Sequence, residues 1–319
     1  MMKATLGMNY RTLSASLEDQ SNRLYDLRQQ SATGKKMNRP SDNPAAIRPL
    51  LNYRLRVDTT DRYLNHISAA QGEMEVQDSS LDQVENIMAS AKEAAIAAKS
   101  GAANEQDRAA YADRVDQLFE ELFQMANTRN SGKYIYAGYK EATVPFRINP
   151  DYDPQAYNPE DASTWAVSYQ GDANAKTLEI APEKRVQTAL TGNELFLGDA
   201  DGNKAVDADG TDLFSVLKNT EAAIRAGDEA AMEESLARLE QGADQVRRLR
   251  GRMGNNAWRI DRANQYMSDA AIELKEVISG YEDANILEVF TELTQQETAF
   301  KAALNVTSRV SKLSILDYM

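Results

Sequence analysis

His66 is the single histidine of this chain and there is no cysteine, so imidazole and thiolate chemistry have almost nothing to build with. A serine triad or a histidine metal site would have to form around that one ring, while a disulfide framework, a thiolate metal centre and a thiol nucleophile are excluded. No HExxH zinc motif, Walker A loop or GxGxxG turn occurs. Two stretches call for a closer test. DADGNKAVDADGTD, Asp199 to Asp212, places Asp201 and Asn203 at loop positions three and five of a calcium loop, but Lys204 stands where glycine is needed and Gly210 where the closing glutamate belongs. A solvated turn is the expected reading, with a weaker calcium site as the alternative. Tyr152, Tyr157, Trp165 and Tyr169 could stack on a sugar, although aromatic residues in a small β-rich region ordinarily form its core. Scattered Asp and Glu define no hydrolytic pair without geometry. The expectation is a non-enzymatic chain with no catalytic residue, cofactor or metal.

At 319 residues the chain can hold about two domains with real cores. Its net charge of -13 lacks the clustered positive charge of a nucleic-acid surface. No apolar run approaches the roughly 18 residues of a membrane span, so no membrane insertion is expected. The first residues, MMKATLGMNYRTLSASLEDQ, lack the apolar core and small-residue cleavage site of a removable signal.

With chemistry so sparse, the ends of the chain become the most informative stretches. Ile286, Val289, Leu293, Phe300, Ala303 and Val310 follow coiled-coil spacing, with Gln296 and Thr307 in the same seam. Leu6, Tyr10, Leu13, Leu17, Leu24 and Leu27 repeat in the same way, with Gln20 in the remaining position. The two stripes match and are expected to pair, either inside one compact bundle or as a terminal pair completed by further copies of the chain. Ordering about 60 terminal residues costs on the order of 60 to 120 kcal/mol of backbone entropy, and a lone two-helix seam buries only part of its apolar faces.

Between the ends, the pattern alternates helix and punctuation. A first helix from about Thr5 to Ser31 should stop at Gly34, and Asn43-Pro44 should cap and start the next. Pro49 removes a backbone donor inside that helix start. Leu81, Val84, Met88, Ala91, Ala95 and Ala98 form its buried stripe, ending at Ser100-Gly101, and Asn104 caps a return helix bearing Tyr111, Val115, Leu118, Leu122 and Met125. KYIYAGYKEATVPF suggests a β-hairpin, and residues 147–212, with strand-like WAVSYQ and TLEIA, a small β-rich insertion. Helix resumes near Leu213, with a stripe from Leu236 to Leu274 whose flanking positions are interrupted by Arg250 and Asn264, expected as solvated edges with a buried register-setting role as the alternative; Gly280-Tyr281 marks the hinge into the last helix. The expected fold is mainly α with a β-rich insertion: an elongated antiparallel helical bundle with coiled-coil-like paired terminal helices. Residues 1–38 and 284–319 would form a terminal assembly domain, 39–146 and 213–283 a helical rod with a β-hairpin, and 147–212 the insertion.

GKKMNRPSDNPAA, with Gly34, Asn38, Arg39, Pro40, Ser41, Asp42 and Pro44, resembles the signature of the flagellin superfamily in the proline-bearing form of its hook-associated members. GKYIYAGYKEATVPF, with Gly132, Tyr134, Gly138, Pro145 and Phe146, resembles a second signature of those members, and YQGD, GNELF, RGRMGNN and the ending SKLSILDYM extend the likeness along the chain. Asn43 stands where the family more usually has Asp. The resemblance implies a structural subunit of the bacterial flagellum at the junction of hook and filament. Its implied partners are hook-associated protein 1 on the hook side, flagellin on the filament side, neighbouring copies of itself, and a flagellar export chaperone before secretion. It also implies export to the cell exterior by the flagellar type III route. A filament flagellin is the alternative within the same class, and a stalked glycan-binding adhesin or enzyme the alternative outside it. Residues up to about 35 and beyond about 283 are expected to be protease-sensitive in solution and protected after assembly.

Overall fold

The computed structural model describes residues 2–100, 103–181 and 183–316, with side chains left aside for 2–7, 9–10 and 309–316. Six helices, α1 (Met2–Thr33), α2 (Pro44–Lys99), α3 (Glu105–Ala126), α4 (Leu213–Ala226), α5 (Glu229–Glu282) and α6 (Ile286–Leu316), carry the chain, and three short antiparallel strand pairs lie between α3 and α4. Helix makes up 68% of the chain, which bears out the mainly α expectation with a small β insertion. No described helix is long and apolar enough to cross a membrane.

The chain divides into two compact units, residues 1–61 with 268–319, and residues 62–267. In the second unit the expected stripes are buried. Leu81, Val84, Met88, Ala91, Ala95 and Ala98 of α2 and Val115, Leu118 and Leu122 of α3 are each at most 3% exposed and join one apolar cluster. Asn104 starts α3 with a capping box: its side chain accepts from the Asp107 amide at 2.9 Å, and Asp107 accepts in return from the Asn104 amide at 3.1 Å. Gly101 lies outside the described residues.

The 147–212 segment shares this core. Phe146, Phe196 and Phe214 meet with ring centroids 5.4 to 5.6 Å apart, and Phe119 and Phe123 of α3 close on Phe214. Three strand pairs frame the knot: β1 (Arg129–Asn130) with β2 (Lys133–Tyr134), β3 (Phe146–Ile148) with β4 (Val167–Tyr169), and β5 (Thr177–Ala181) with β6 (Lys184–Gln187). WAVSYQ and TLEIA thus contain strands, as their pattern indicates. The hairpin expected within residues 133–146 is different: its first residues pair backward across Ser131-Gly132, and its last pair forward with β4. The cause is at Gly138, where a Cβ would stand 2.4 Å from the Asp172 carbonyl oxygen. The backbone there is packed too closely against 172 to run as a regular hairpin arm. Gln245 of α5, 3% exposed, ties the segment down: its Oε1 accepts from the Thr211 amide at 2.7 Å and its Nε2 donates to the carbonyls of Leu195 and Thr211.

Two further expectations change on α5. Arg250 is neither a free edge nor buried; it is one-third exposed and spans to α2, donating to Asp78 at 3.0 Å and Asp82 at 2.8 Å. The break before α6 falls after Glu282, not at Gly280. Gly280 has open space where a Cβ would be and helical neighbours on both sides, so it imposes no turn.

Candidate assembly surface

The first unit contains the terminal stripes, with α1 packed along α6. Leu24 and Val289 are the fully buried members, 7% and 6% exposed. Leu13, Leu17, Leu27, Leu293, Phe300 and Ala303 are half-buried, and Ile286 is 42% exposed. Gln20 and Gln296 meet in the seam, the Gln296 amide donating to the Gln20 carbonyl oxygen at 3.5 Å while Gln20 Oε1 is buried without a partner. Arg28 donates to Glu297 at 2.8 Å along the edge, holding that carboxyl below its ordinary range. The side chains of Leu6, Tyr10 and Val310 lie outside the described residues, as does the final 317–319.

Heptad reading missed a second apolar row on α6. Leu287, Phe290 and Leu304 each follow a seam residue, and with Val306 they are 79%, 52%, 45% and 52% exposed. The α6 apolar face is therefore wider than one neighbour covers. The signal was present in the sequence as paired apolar residues at 286–287 and 289–290 and as Ala303-Leu304. Burying such side chains fully is worth roughly 1.5 to 3 kcal/mol each.

Where the chain reverses, both helix pairs are fastened together. Gly34 takes a left-handed φ of 71° and ends α1, its amide bonding to the Gln30 carbonyl at 2.8 Å. The next residues meet the α5–α6 connection: the Lys36 amide donates to Glu282 O at 2.7 Å and the Ala284 amide to Gly34 O at 2.9 Å. Glu282 is 4% exposed and accepts from Lys35 Nζ at 2.7 Å and from the Arg54 guanidinium of α2. Burial pushes the Glu282 carboxyl up, but the hydrogen bonds and charges of Lys35 and Arg54 outweigh it and hold the group below its ordinary range. Nothing about residue 282 in the sequence distinguishes it from the other glutamates, so this node was not anticipated.

The Pro-bearing motif builds the rest of the reversal. Asp42 Oδ2 accepts from the amides of Asn38 at 2.9 Å and Arg39 at 2.7 Å, which lowers its carboxyl, and Ser41 Oγ is 3.5 Å from Asp42 Oδ1. Asn38 Nδ2 donates to the Lys35 carbonyl at 2.9 Å, and the Arg39 guanidinium stands 6.0 Å from the Tyr25 ring. Pro40 lies in the exposed turn, and Asn43 caps α2, its Oδ1 accepting from Ala46 N at 3.2 Å with Pro44 as the first helical residue. α2 runs on through Pro49.

The second motif lies in the other unit. Gly132 shapes the β1–β2 turn with φ 82°, Tyr134 is buried under Arg129, the Pro145 carbonyl accepts from Gln170 N at 2.7 Å, and Phe146 is fully buried in the aromatic knot. The aromatic residues weighed for sugar stacking are spent on packing. Trp165 is 2% exposed with its indole N–H on the Asn158 carbonyl, and Tyr169 donates to Tyr136 O at 2.9 Å and Asp172 O at 3.0 Å. Tyr152 reaches Asn219 at 2.6 Å, and Tyr157 is half-buried against the same cluster. His66 is exposed on α2. Among the described residues no three His, Cys, Asp or Glu side chains gather as a metal-binding group.

Residues 6–141 match the model of the bacterial flagellin N-terminal helical region. Flagellar hook-associated protein 3 of Escherichia coli (strain K12) is 24% identical over 302 residues, 90% of each chain, and the protein of the same name from Salmonella typhimurium (strain LT2) is 23% identical over 329 residues, 98% of each. The crystal structure of Xanthomonas campestris FlgL aligns with a TM-score of 0.56 at 19% identity, covering 70% of this chain and 98% of that one. The resemblance drawn from the two signature stretches is borne out over nearly the full length of the chain.

Proposed function

We propose that this chain is a structural subunit of the bacterial flagellum that joins the hook to the filament, and that it assembles through the α1–α6 pair. One observation carries the assembly mechanism: among the described residues the α1–α6 pair buries only Leu24 of α1 and Val289 of α6 fully, and α6 keeps Leu287, Phe290, Leu304 and Val306 open. A pair that covers its own seam only in part gains apolar burial each time a neighbour docks. Neighbouring copies, hook-associated protein 1 and flagellin would supply that cover in the assembled organelle. A cytoplasmic export chaperone would cover it beforehand, and secretion through the flagellar export apparatus would place the subunit outside the cell. The packed aromatic residues of the insertion favour a structural role over a glycan-binding one.

Deletion of the chain from its source bacterium, followed by electron microscopy, tests the reading. Hooks without filaments and flagellin shed into the medium are expected, with rescue by the intact chain. Normal filaments would overturn the proposal, and long homopolymers grown by the purified protein alone would favour a filament flagellin. Limited proteolysis supplies the mechanistic arm: residues up to about 35 and beyond about 283 should be cleaved in the monomer and protected in the assembly. Equal resistance in both forms would refute assembly through these helices.

A further inference from the structure

Near the start of α2 an exposed face carries apolar and basic residues side by side. Leu51 and Leu55, one turn apart, are 52% and 64% exposed. Arg48, Asn52 and Arg56, also exposed and at the same spacing, form the adjoining row, and Asp58 stands at the opposite edge of the leucines. Arg54 turns away to Glu282, whereas among the described residues neither Arg48 nor Arg56 has an ion-pair partner. α6 carries the complement. Its second apolar row begins with Leu287 and Phe290, and along one side run Glu288 and Glu292, exposed and likewise without an ion-pair partner among the described residues.

Both faces belong to the same compact unit and both stay open there, so a single chain does not bring its own two faces together. At about 100° per residue, the charged row follows the apolar row in the same rotational sense on each helix. Two such faces therefore set leucine against leucine and arginine against glutamate only when the helices run antiparallel. We infer that the second row of α6 docks antiparallel on the α2 face of a neighbouring copy. Leu287 and Phe290 lie against Leu51 and Leu55, with Glu288 and Glu292 turned toward Arg48 and Arg56. The contact joins two different patches, so each copy gives one face, receives on the other and leaves the series open to further copies. The inference rests on the reading that copies of this chain are neighbours in the organelle, and it names what covers the α6 row.

The chain has no cysteine of its own, so engineered disulfides report the contact directly. Full chains carrying Leu51→Cys and Leu287→Cys, mixed in equal amounts under an oxidant, should yield a mixed 51–287 dimer, while neither variant alone yields a comparable homodimer. Adding Arg48→Glu and Arg56→Glu to the first chain should lower the mixed yield about fivefold or more, because two attractive pairs become repulsive. Adding Glu288→Arg and Glu292→Arg to the second chain should then restore it. All these side chains are exposed, and circular dichroism matching the unmodified chain confirms that each variant is folded. A mixed yield no greater than that of either variant alone, a yield indifferent to the first reversal, or no recovery after the second would overturn the pairing. A missing mixed dimer together with filaments lost on deletion sinks this contact alone, whereas normal filaments on deletion sink the junction reading itself.

Discussion

Replacing Glu282 with glutamine tests whether the reversal between the two helix pairs is held by charge. The wild-type carboxylate is 4% exposed and accepts from Lys35 and Arg54, whose side chains are 45% and 51% exposed. A fully buried pair broken on one side costs about 3 to 5 kcal/mol because a charge is stranded. Here both cations can turn to water, and the substitution removes the buried charge itself, so the cost reduces to the lost charge-assisted bonds, about 1 to 2 kcal/mol. Hydrogen exchange reports this locally, at the Lys36 and Ala284 amides that bridge the two connections. Their exchange should quicken by roughly 5- to 30-fold at pH 7 if opening is local. The sign with pH follows from the lowered carboxyl: its stabilisation is present above the ordinary glutamate value of 4.5 and is lost as pH falls through the folded-state value. The difference between variant and wild type should therefore shrink in acid. Unchanged exchange at pH 7, or a difference as large at pH 3 as at pH 7, would refute the argument.

Gln245→Leu should strand three backbone groups at Thr211 and Leu195 and cost about 3 kcal/mol or more, read as a fall in unfolding temperature of roughly 6 to 12 °C. Asp212, fully buried at the start of α4 with its carboxyl raised to about 7, binds its proton more tightly folded than unfolded. Its contribution is whole below the ordinary value of 3.8 and is lost as pH rises toward and through 7, so Asp212→Asn should flatten stability over that range in urea titrations at several pH values. Phe290→Ser combined with Leu304→Ser alters only half-exposed positions; monomer stability should move by about 1 kcal/mol or less, while sedimentation should show assembly lost.

The legible parts of the fold were those written in local spacing. Gly34 stops α1, Asn43 and Asn104 cap α2 and α3, and the stripes of α2, α3 and α5 are the buried faces, because each depends on residues within a few turns of one another. Pairings between distant segments were not legible. β3 finds β4 across an intervening loop, and Gly138 is pressed on Asp172, which periodicity does not encode. Glu282 was invisible for the same reason, since its value comes from Lys35 and Arg54, both more than 200 positions away. On α6 the seam was visible but the second apolar row was not, because a heptad template assigns its positions to the solvent side.

The bracket at Glu282 also sets an order of events. Lys35 and Glu282 are 247 positions apart, so a chain delivered from one end, by a ribosome or through a narrow conduit, presents one clasp long before the other. The unit built from residues 1–61 and 268–319 cannot close until both segments have been delivered. Until then α1 has no α6 to lie on and stays open to whatever else it meets on the way.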